Sequence, residues 1–274
     1  MSLKKILITV KTYPLPSRTY DELVCIAGID ENKKWVRIYP VPFSFLKFQK
    51  YQWIELSLKP RRKGDPRPES YTPVKPELAD LKILEKVDTK NNWEERKKYC
   101  LNNVYEDITE LIEVSRAPQN ISLATFKPKQ ILDLIIENDE REWNPKWIEQ
   151  LKQLDIFTKP KNVTGLTRTP ISKLPYKFKY LFVDGKNNKC KLMIEDWEIG
   201  ALYWNCLRAS EGDEKEALRK VKEKYLESFI QKDVYLFLGT TLEWHLRKAK
   251  NPFVIIGVFY PSIAPKEKQM KLFT

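Results

Sequence analysis

The sequence has one histidine and four scattered cysteines in 274 residues. Structural zinc sites need four nitrogen or sulfur ligands, normally supplied as close pairs. Because Cys25, Cys100, Cys190 and Cys206 form no CxxC pair and His245 stands alone, the sequence predicts no structural zinc. We expect the four cysteines to be reduced thiols in a cytoplasmic protein.

Long apolar runs are also missing. No segment approaches the roughly 18 consecutive apolar residues of a membrane-spanning helix. The run ILITV near the amino terminus is too short for the apolar core of a signal peptide. We therefore expect no membrane partner. The phosphate-binding patterns GxxxxGK[ST] and GxGxxG and the nucleophile pattern GxSxG are absent, so no standard nucleotide or acyl-transfer site is predicted.

Positive charge is present in excess. The chain has 49 Lys plus Arg against 37 Asp plus Glu, a net charge of +12. Residues 1–75 hold 15 basic and 7 acidic side chains, whereas the rest of the chain holds 34 and 30. Two thirds of the excess therefore lies in about a quarter of the sequence. Such an excess attracts polyanions, which points to DNA or RNA as the partner.

Short strands dominate residues 1–90. The segments ILITVKTY, ELVCIAGI, KWVRIYPV and YQWIELSL are rich in β-branched and aromatic residues and are separated by turn-forming residues. Short strands joined by proline-containing turns predict a small β-barrel or a strongly bent sheet. Within KWVRIYPV, alternation places Trp35, Arg37 and Tyr39 on one face, where a mid-strand arginine should meet solvent or a ligand.

The segment Lys59–Glu77 follows the fourth strand and contains five prolines and a cluster of arginines. The prolines exclude both a helix and a central strand, so we predict an exposed loop. Loop cations beside aromatic rings are the combination that single-strand-binding barrels use. The alternative is that the rings are core and the charges a solvated rim. The residues predicted to bind nucleic acid are Arg18, Trp35, Arg37, Tyr39, Arg61, Arg62, Lys63 and Arg67.

The strand order, with a W-x-R strand leading into an aromatic-rich turn, resembles PUA-like or OB-type barrels over roughly the first 70 residues. This resemblance implies binding of RNA or of modified bases.

The remainder of the chain is predicted to be helical and then mixed. Apolar spacing predicts a helix over 92–114 within a helical segment at 91–160, and a second helix from the N-cap candidate Asn144. The stretch 158–175 has the composition of a linker. Residues 171–263 are expected to form an α+β domain whose apolar runs VYLFLG and FVIIGVFY lie in the core. A polar tail is expected at 264–274.

A cluster of acids near Trp197 has two interpretations. Asp184, Glu195, Asp196 and Glu198 could surround Mg²⁺ in a nuclease, although the acid-x-Lys order of restriction-type nucleases is not present. Asp196 could instead cap a helix, with Glu198 in its first turn. We favour the helix start.

His245 could act as a base or contact phosphate, but a solvated loop position is the favoured interpretation.

The sequence therefore predicts an α+β protein with a β-barrel-like PUA/OB-type module, a helical middle and a mixed carboxyl-terminal domain. The predicted function is nucleic-acid binding through phosphates, without a cofactor. The alternative is a metal-dependent nuclease, or another enzyme that processes nucleic acid, using the acid cluster.

Overall fold

The computed structural model describes residues 1–16, 22–75, 77–145 and 171–263. The fold is mixed α+β and begins with a closed five-stranded β-barrel. Strand β1 pairs with β3 on one side and with β5 on the other, which closes the barrel in the order β1-β3-β4-β6-β5. The strands of this region are β1 (Ser2–Lys11), β2 (Leu15–Pro16), β3 (Glu22–Asp30), β4 (Trp35–Pro42), β5 (Gln52–Pro60), β6 (Ser70–Pro73) and β7 (Lys82–Lys86).

Alternating apolar side chains fill the barrel. Ile6 and Ile8 of β1 and Ile38 of β4 are fully buried in a cluster with Ile54 and Leu56 of β5. Each strand places one such row inside, because successive residues of a strand point to opposite faces. The four strands expected from composition are therefore confirmed.

The proline-rich segment contributes a strand that the sequence prediction excluded. β6 pairs in parallel with β4, with Arg37 opposite Ser70, and antiparallel with β5, with Leu58 opposite Pro73. A proline is tolerated here because Pro73 is the last residue of a four-residue strand. The breakers confine β6 to a short length but do not prevent it from completing the barrel.

The middle of the chain is less helical than predicted. The helix expected over 92–114 is divided into α1 (Lys90–Cys100), strand β8 (Val104–Tyr105) and α2 (Ile108–Val114). Asp107 starts the second helix by accepting hydrogen bonds from the backbone N–H groups of Thr109 and Glu110. Within the segment 91–160 that was predicted to be helical, Gln130–Asn138 forms a strand. Most of the predicted helix from Asn144 and most of the predicted linker lie outside the described residues.

Two further sheets follow. The remaining elements are β9 (Leu123–Phe126), β10 (Gln130–Asn138), β11 (Tyr176–Val183), β12 (Lys189–Met193), α3 (Trp197–Ala209), α4 (Glu214–Lys222), β13 (Tyr235–Thr240), α5 (Leu242–Leu246) and β14 (Phe253–Phe259). One sheet has the order β10-β11-β12 and the other the order β14-β13-β9-β8. The helix beginning after Asp196 and the apolar strands β13 and β14 are confirmed.

A shared core joins the barrel to the carboxyl-terminal sheet. Leu7 and Ala27, on the outer face of the barrel, belong to one buried cluster with Phe237 of β13 and Ile256 and Phe259 of β14. The outer barrel face is therefore covered by protein over this area. All four cysteines are free thiols, and no helix among the described residues is long and apolar enough to cross a membrane.

Candidate nucleic-acid interface

An exposed basic turn lies where β5 ends. We call residues 59–63 the basic turn. Lys59, Arg62 and Lys63 are exposed, and none of the three forms an ion pair with a carboxylate within the described residues. Gly64 follows with a positive φ of 74°, a conformation that glycine adopts at little cost, and it lets the chain reverse. Lys59 was not among the predicted site residues, although the same cationic run could have indicated it.

An aromatic ring lies beside this turn. The Arg61 guanidinium is 5.4 Å from the centre of the Tyr39 ring, and Tyr39 remains 36% exposed. Such a cation–π contact contributes about 0.5–1 kcal/mol at an exposed site. It holds the arginine close to an accessible ring at the surface.

Arg37 lies in the interior, in contrast to its predicted surface position. Its side chain is 3% exposed and donates from Nη1 to Ser122 Oγ at 2.5 Å and from Nη2 to the Ser122 carbonyl at 2.9 Å. The predicted alternation is right, but β9 and β13 cover that face of β4. Burial lowers the pKa of Arg37 to about 10, with the nearby charge of Arg67 acting in the same direction, so Arg37 stays charged at neutral pH.

Arg67 is also buried, at 4% exposure. It donates to both carboxylate oxygens of Asp65, from Nε and Nη2 at 2.8 Å each, and from Nη1 to the Thr240 carbonyl at 2.8 Å. Arg37 Nη2 reaches the same carbonyl at 3.3 Å. The two arginines therefore attach the barrel to the end of β13, and neither is free to contact phosphate.

The other two predicted barrel residues are placed differently. Trp35 is half-buried, with its ring edge-on to Phe237 at 5.4 Å. Arg18 lies outside the described residues. The structure thus brings Tyr39, Arg61, Arg62 and Lys63 together and separates them from Trp35.

Asp196 starts helix α3, as the favoured interpretation predicted. Its Oδ1 accepts from the Glu198 backbone N–H at 3.2 Å, and its carboxylate is fully buried. Lys50 of the barrel lies 3.4 Å from Asp196 and 2.8 Å from Glu198. Burial raises the pKa of Asp196, and Lys50 opposes that change. Glu195 is half-buried, and burial raises its pKa as well.

Asp184 belongs to a different local structure. It is fully buried in the turn after β11 and accepts from the backbone N–H groups of Ile108, Lys186 and Asn188. Burial opposes ionisation, but these hydrogen bonds and the Asn188 side chain lower the pKa of Asp184. Across residues 1–16, 22–75, 77–145 and 171–263, no group of three His, Cys, Asp or Glu residues could hold a metal ion. The metal-dependent nuclease stays a prediction.

His245 is buried within α5, and the favoured solvated-loop interpretation is wrong. The residue is 7% exposed, and Nδ1 lies 3.3 Å from Thr240 Oγ1. Nε2 is buried without a hydrogen-bond partner in the described part of the chain. Burial, reinforced by the positive charges of Arg67 and Arg37, lowers the pKa of His245 to about 4. The imidazole is therefore neutral at physiological pH.

Comparisons with known proteins identify two regions. Residues 2–102 match the family model for a domain of unknown function, DUF8758, and residues 106–274 match that for a second one, DUF8757. No curated protein matches the chain. A solved structure of a murine DNA-binding protein bound to double-stranded DNA is similar at 9% identity and a TM-score of 0.31, covering 97% of this chain and 99% of that chain. A TM-score this low carries no argument about fold or function. Because the second match spans more than half of the sequence, the protein belongs to the DUF8757 family.

Proposed function

We propose that this protein binds nucleic acid through the phosphate backbone, using the basic turn at residues 59–63 and the adjacent Tyr39 ring. The observation that carries the proposal is the lack of carboxylate partners around the exposed cations of the basic turn. Some barrel lysines are held in ion pairs, as Lys5 is with Glu31 and Glu85. In the basic turn, the exposed Lys59, Arg62 and Lys63 lack carboxylate partners within the described residues. The half-buried Arg61 beside them contacts the exposed Tyr39 ring.

Phosphate contacts suit this geometry. Unpaired surface cations release condensed counterions from a nucleic acid when they contact its phosphates, and this release drives sequence-independent binding. An exposed ring next to such cations can also stack on a base, which favours single strands. Arg37, Arg67 and Trp35 have no part in this surface, because packing and internal hydrogen bonds hold them.

Fluorescence anisotropy with labelled single-stranded and double-stranded DNA and RNA, measured across a range of salt concentrations, tests the proposal. The variant Arg61→Ala/Arg62→Ala/Lys63→Ala removes three cations from the basic turn. Because each phosphate contact contributes about 0.9 to the slope of log K against log salt for duplex DNA, the slope should decrease in magnitude by about 2 to 3. The order of affinities for the four probes reports DNA against RNA and single against double strands.

A matched variant controls for net charge. Lys98, Arg219 and Arg247 are exposed, and each forms an ion pair. Lys98 pairs with Glu95, Arg219 pairs with Glu216 and Glu223, and Arg247 pairs with Glu243. Replacing all three with alanine also removes two arginines and one lysine, so the change in net charge is the same. This control variant should keep the wild-type slope of log K against log salt. An equal decrease of the salt slope in both triple variants would show that only the net charge matters. It would refute a site at the basic turn.

A further inference from the structure

A cleft with cationic and aromatic walls lies at the opposite end of β5 from the basic turn. Its volume is about 370 Å³. Since β5 has nine residues, the two ends are separated by about 30 Å. The lining residues that matter for its chemistry are Lys50, Tyr51, Lys86, Trp93, Arg96 and Tyr260. None of the described residues that were predicted to bind nucleic acid lies in it.

Arg96 is the most unusual group of this cleft. Its side chain is 6% exposed, yet it forms no ion pair with a described carboxylate. Nε and Nη2 both donate to the Val87 carbonyl, at 3.0 and 2.8 Å, and Nη1 has no partner among the described residues. Burial lowers the pKa of Arg96, although nearby groups oppose that change. A buried, charged guanidinium without an anion can be stabilised by an anionic ligand.

Two aromatic rings, which are edge-on to each other, lie against this cation. The guanidinium carbon is 4.0 Å from the centre of the Tyr51 ring and 5.0 Å from that of Trp93. Trp93 is half-buried and lies 5.1 Å from the half-buried Tyr260 ring, and both rings line the cleft. An aromatic ring that lines a cleft and keeps exposed area can stack on a planar ligand.

The backbone that presents Trp93 is strained. Asn91, Asn92 and Trp93 have φ values of 48°, 54° and 64°, three successive non-glycine residues in the left-handed region. Asn92 secures this conformation, because its side chain donates to the Ser262 carbonyl at 2.8 Å and accepts from the Ser262 N–H at 2.7 Å. Strained backbone that the surrounding structure maintains is concentrated at binding sites.

The net charge of the cleft is positive. Asp196 and Glu198 share Lys50, whose pKa they raise although burial lowers it. Lys86 donates only to the neutral Gln49 side chain, at 2.6 Å, and Arg96 has no anion. Three cations against two carboxylates leave room for one further negative group.

We propose that this cleft binds a single nucleotide unit with a terminal phosphate, its base stacked on Trp93 or Tyr260 and its phosphate held by Arg96 and Lys86. The volume is at the small end of the range for ligand pockets, about 300–1,000 Å³, which fits one nucleotide better than two. The nucleotide is either free or the 5′ end of a strand. This site is separate from the backbone contacts of the basic turn and does not depend on them.

Isothermal titration calorimetry of the full-length protein with the four ribonucleoside 5′-monophosphates tests the site. Adenosine and inorganic phosphate, which each represent one part of a nucleotide, are titrated as the part-ligands for comparison. At least one nucleotide should bind ten-fold or more tightly than either part-ligand. A 5′-phosphorylated oligonucleotide against the same strand with a 5′-hydroxyl distinguishes a strand end from a free nucleotide. Tightest binding by inorganic phosphate alone, or no binding of any nucleotide at millimolar concentration, would overturn the proposal.

Two variants locate the contacts. Trp93→Leu should weaken nucleotide binding by about 5- to 100-fold, as loss of one stacked base does. Lys86→Ala should weaken it several-fold, whereas Lys82→Ala, which removes an exposed lysine on the same strand that pairs with Glu55, should leave it unchanged. Because Lys86 is exposed, its variant tests the site even if the Trp93 variant fails to fold. The basic-turn triple variant should bind nucleotide as the wild type does, so failure of one proposal leaves the other measurable.

Discussion

Replacing Arg67 with alanine separates the structural role of this residue from the phosphate-binding role that the sequence predicted. The substitution leaves the Asp65 carboxylate, whose side chain is fully buried, without the two bonds that it accepts from the guanidinium. It also removes the donor to the Thr240 carbonyl, one of the links between barrel and carboxyl-terminal sheet. Removing one partner of a buried ion pair costs about 3–5 kcal/mol.

Thermal unfolding followed by circular dichroism measures this cost. For a chain of this size, 1 kcal/mol corresponds to about 2–4 °C, so we expect the Tm of Arg67→Ala to decrease by about 6–20 °C. Asp65→Asn/Arg67→Met should lose less than the single variant, since an uncharged pair of similar size leaves no isolated buried charge.

Arg62 provides the matched comparison, because it is exposed and its two contacts to backbone carbonyls are long, at 3.4 and 3.5 Å. Arg62→Ala should change stability by less than about 0.5 kcal/mol but reduce the salt dependence of DNA binding. Arg67→Ala should lower the stability and leave the salt dependence of DNA binding unchanged. A stable Arg67→Ala protein with a reduced salt slope would refute the assignment of Arg67 to a structural role.

Three further predictions concern stability. The pKa of His245, about 4 in the folded chain, is below the ordinary value of about 6.5, so its contribution to stability is complete above pH 6.5 and is lost as pH falls from there toward 4. Between pH 7 and 5 the free energy of unfolding, measured by urea titration, should fall by about 2 kcal/mol more for the wild type than for His245→Gln. An equal fall in both proteins would contradict this prediction. Asp196→Ala should be less stable than Asp196→Asn by about 1 kcal/mol in the same assay, because asparagine keeps the N-cap bond that alanine removes; equal midpoints would exclude a capping role. Asn92→Ala should lower the Tm by several degrees, since both Ser262 bonds are lost, whereas Asn32→Ala, at an exposed turn, should not.

The barrel could be predicted because its signal is local. β-branched residues in four short segments, separated by turn residues, indicate strands whatever lies around them. The fifth barrel strand could not be predicted in this way, because Ser70–Pro73 is extended through pairing with β4 and β5, which is a tertiary effect. The same limit applies to the segment 92–114, where helical spacing is present but a strand pairing at Val104 interrupts it.

The candidate site shows a similar division. Alternation correctly placed Trp35, Arg37 and Tyr39 on one face of β4, but no local pattern indicates that β9 and β13 cover part of that face. Arg62 and Lys63 could be predicted as exposed, since a turn with glycine and prolines has little around it to bury side chains. The cleft around Arg96 brings together residues from 49 to 260, and a single sequence contains no signal of that proximity.

The shared cluster of Leu7, Ala27, Phe237, Ile256 and Phe259 has a consequence for how the chain holds together. Cutting the polypeptide between the two family regions would give each fragment an apolar surface that only the other fragment covers. Each fragment alone would then be prone to aggregate, and the two mixed together should reassemble. Intact, the chain should melt in one cooperative step, with both regions losing their structure at the same temperature.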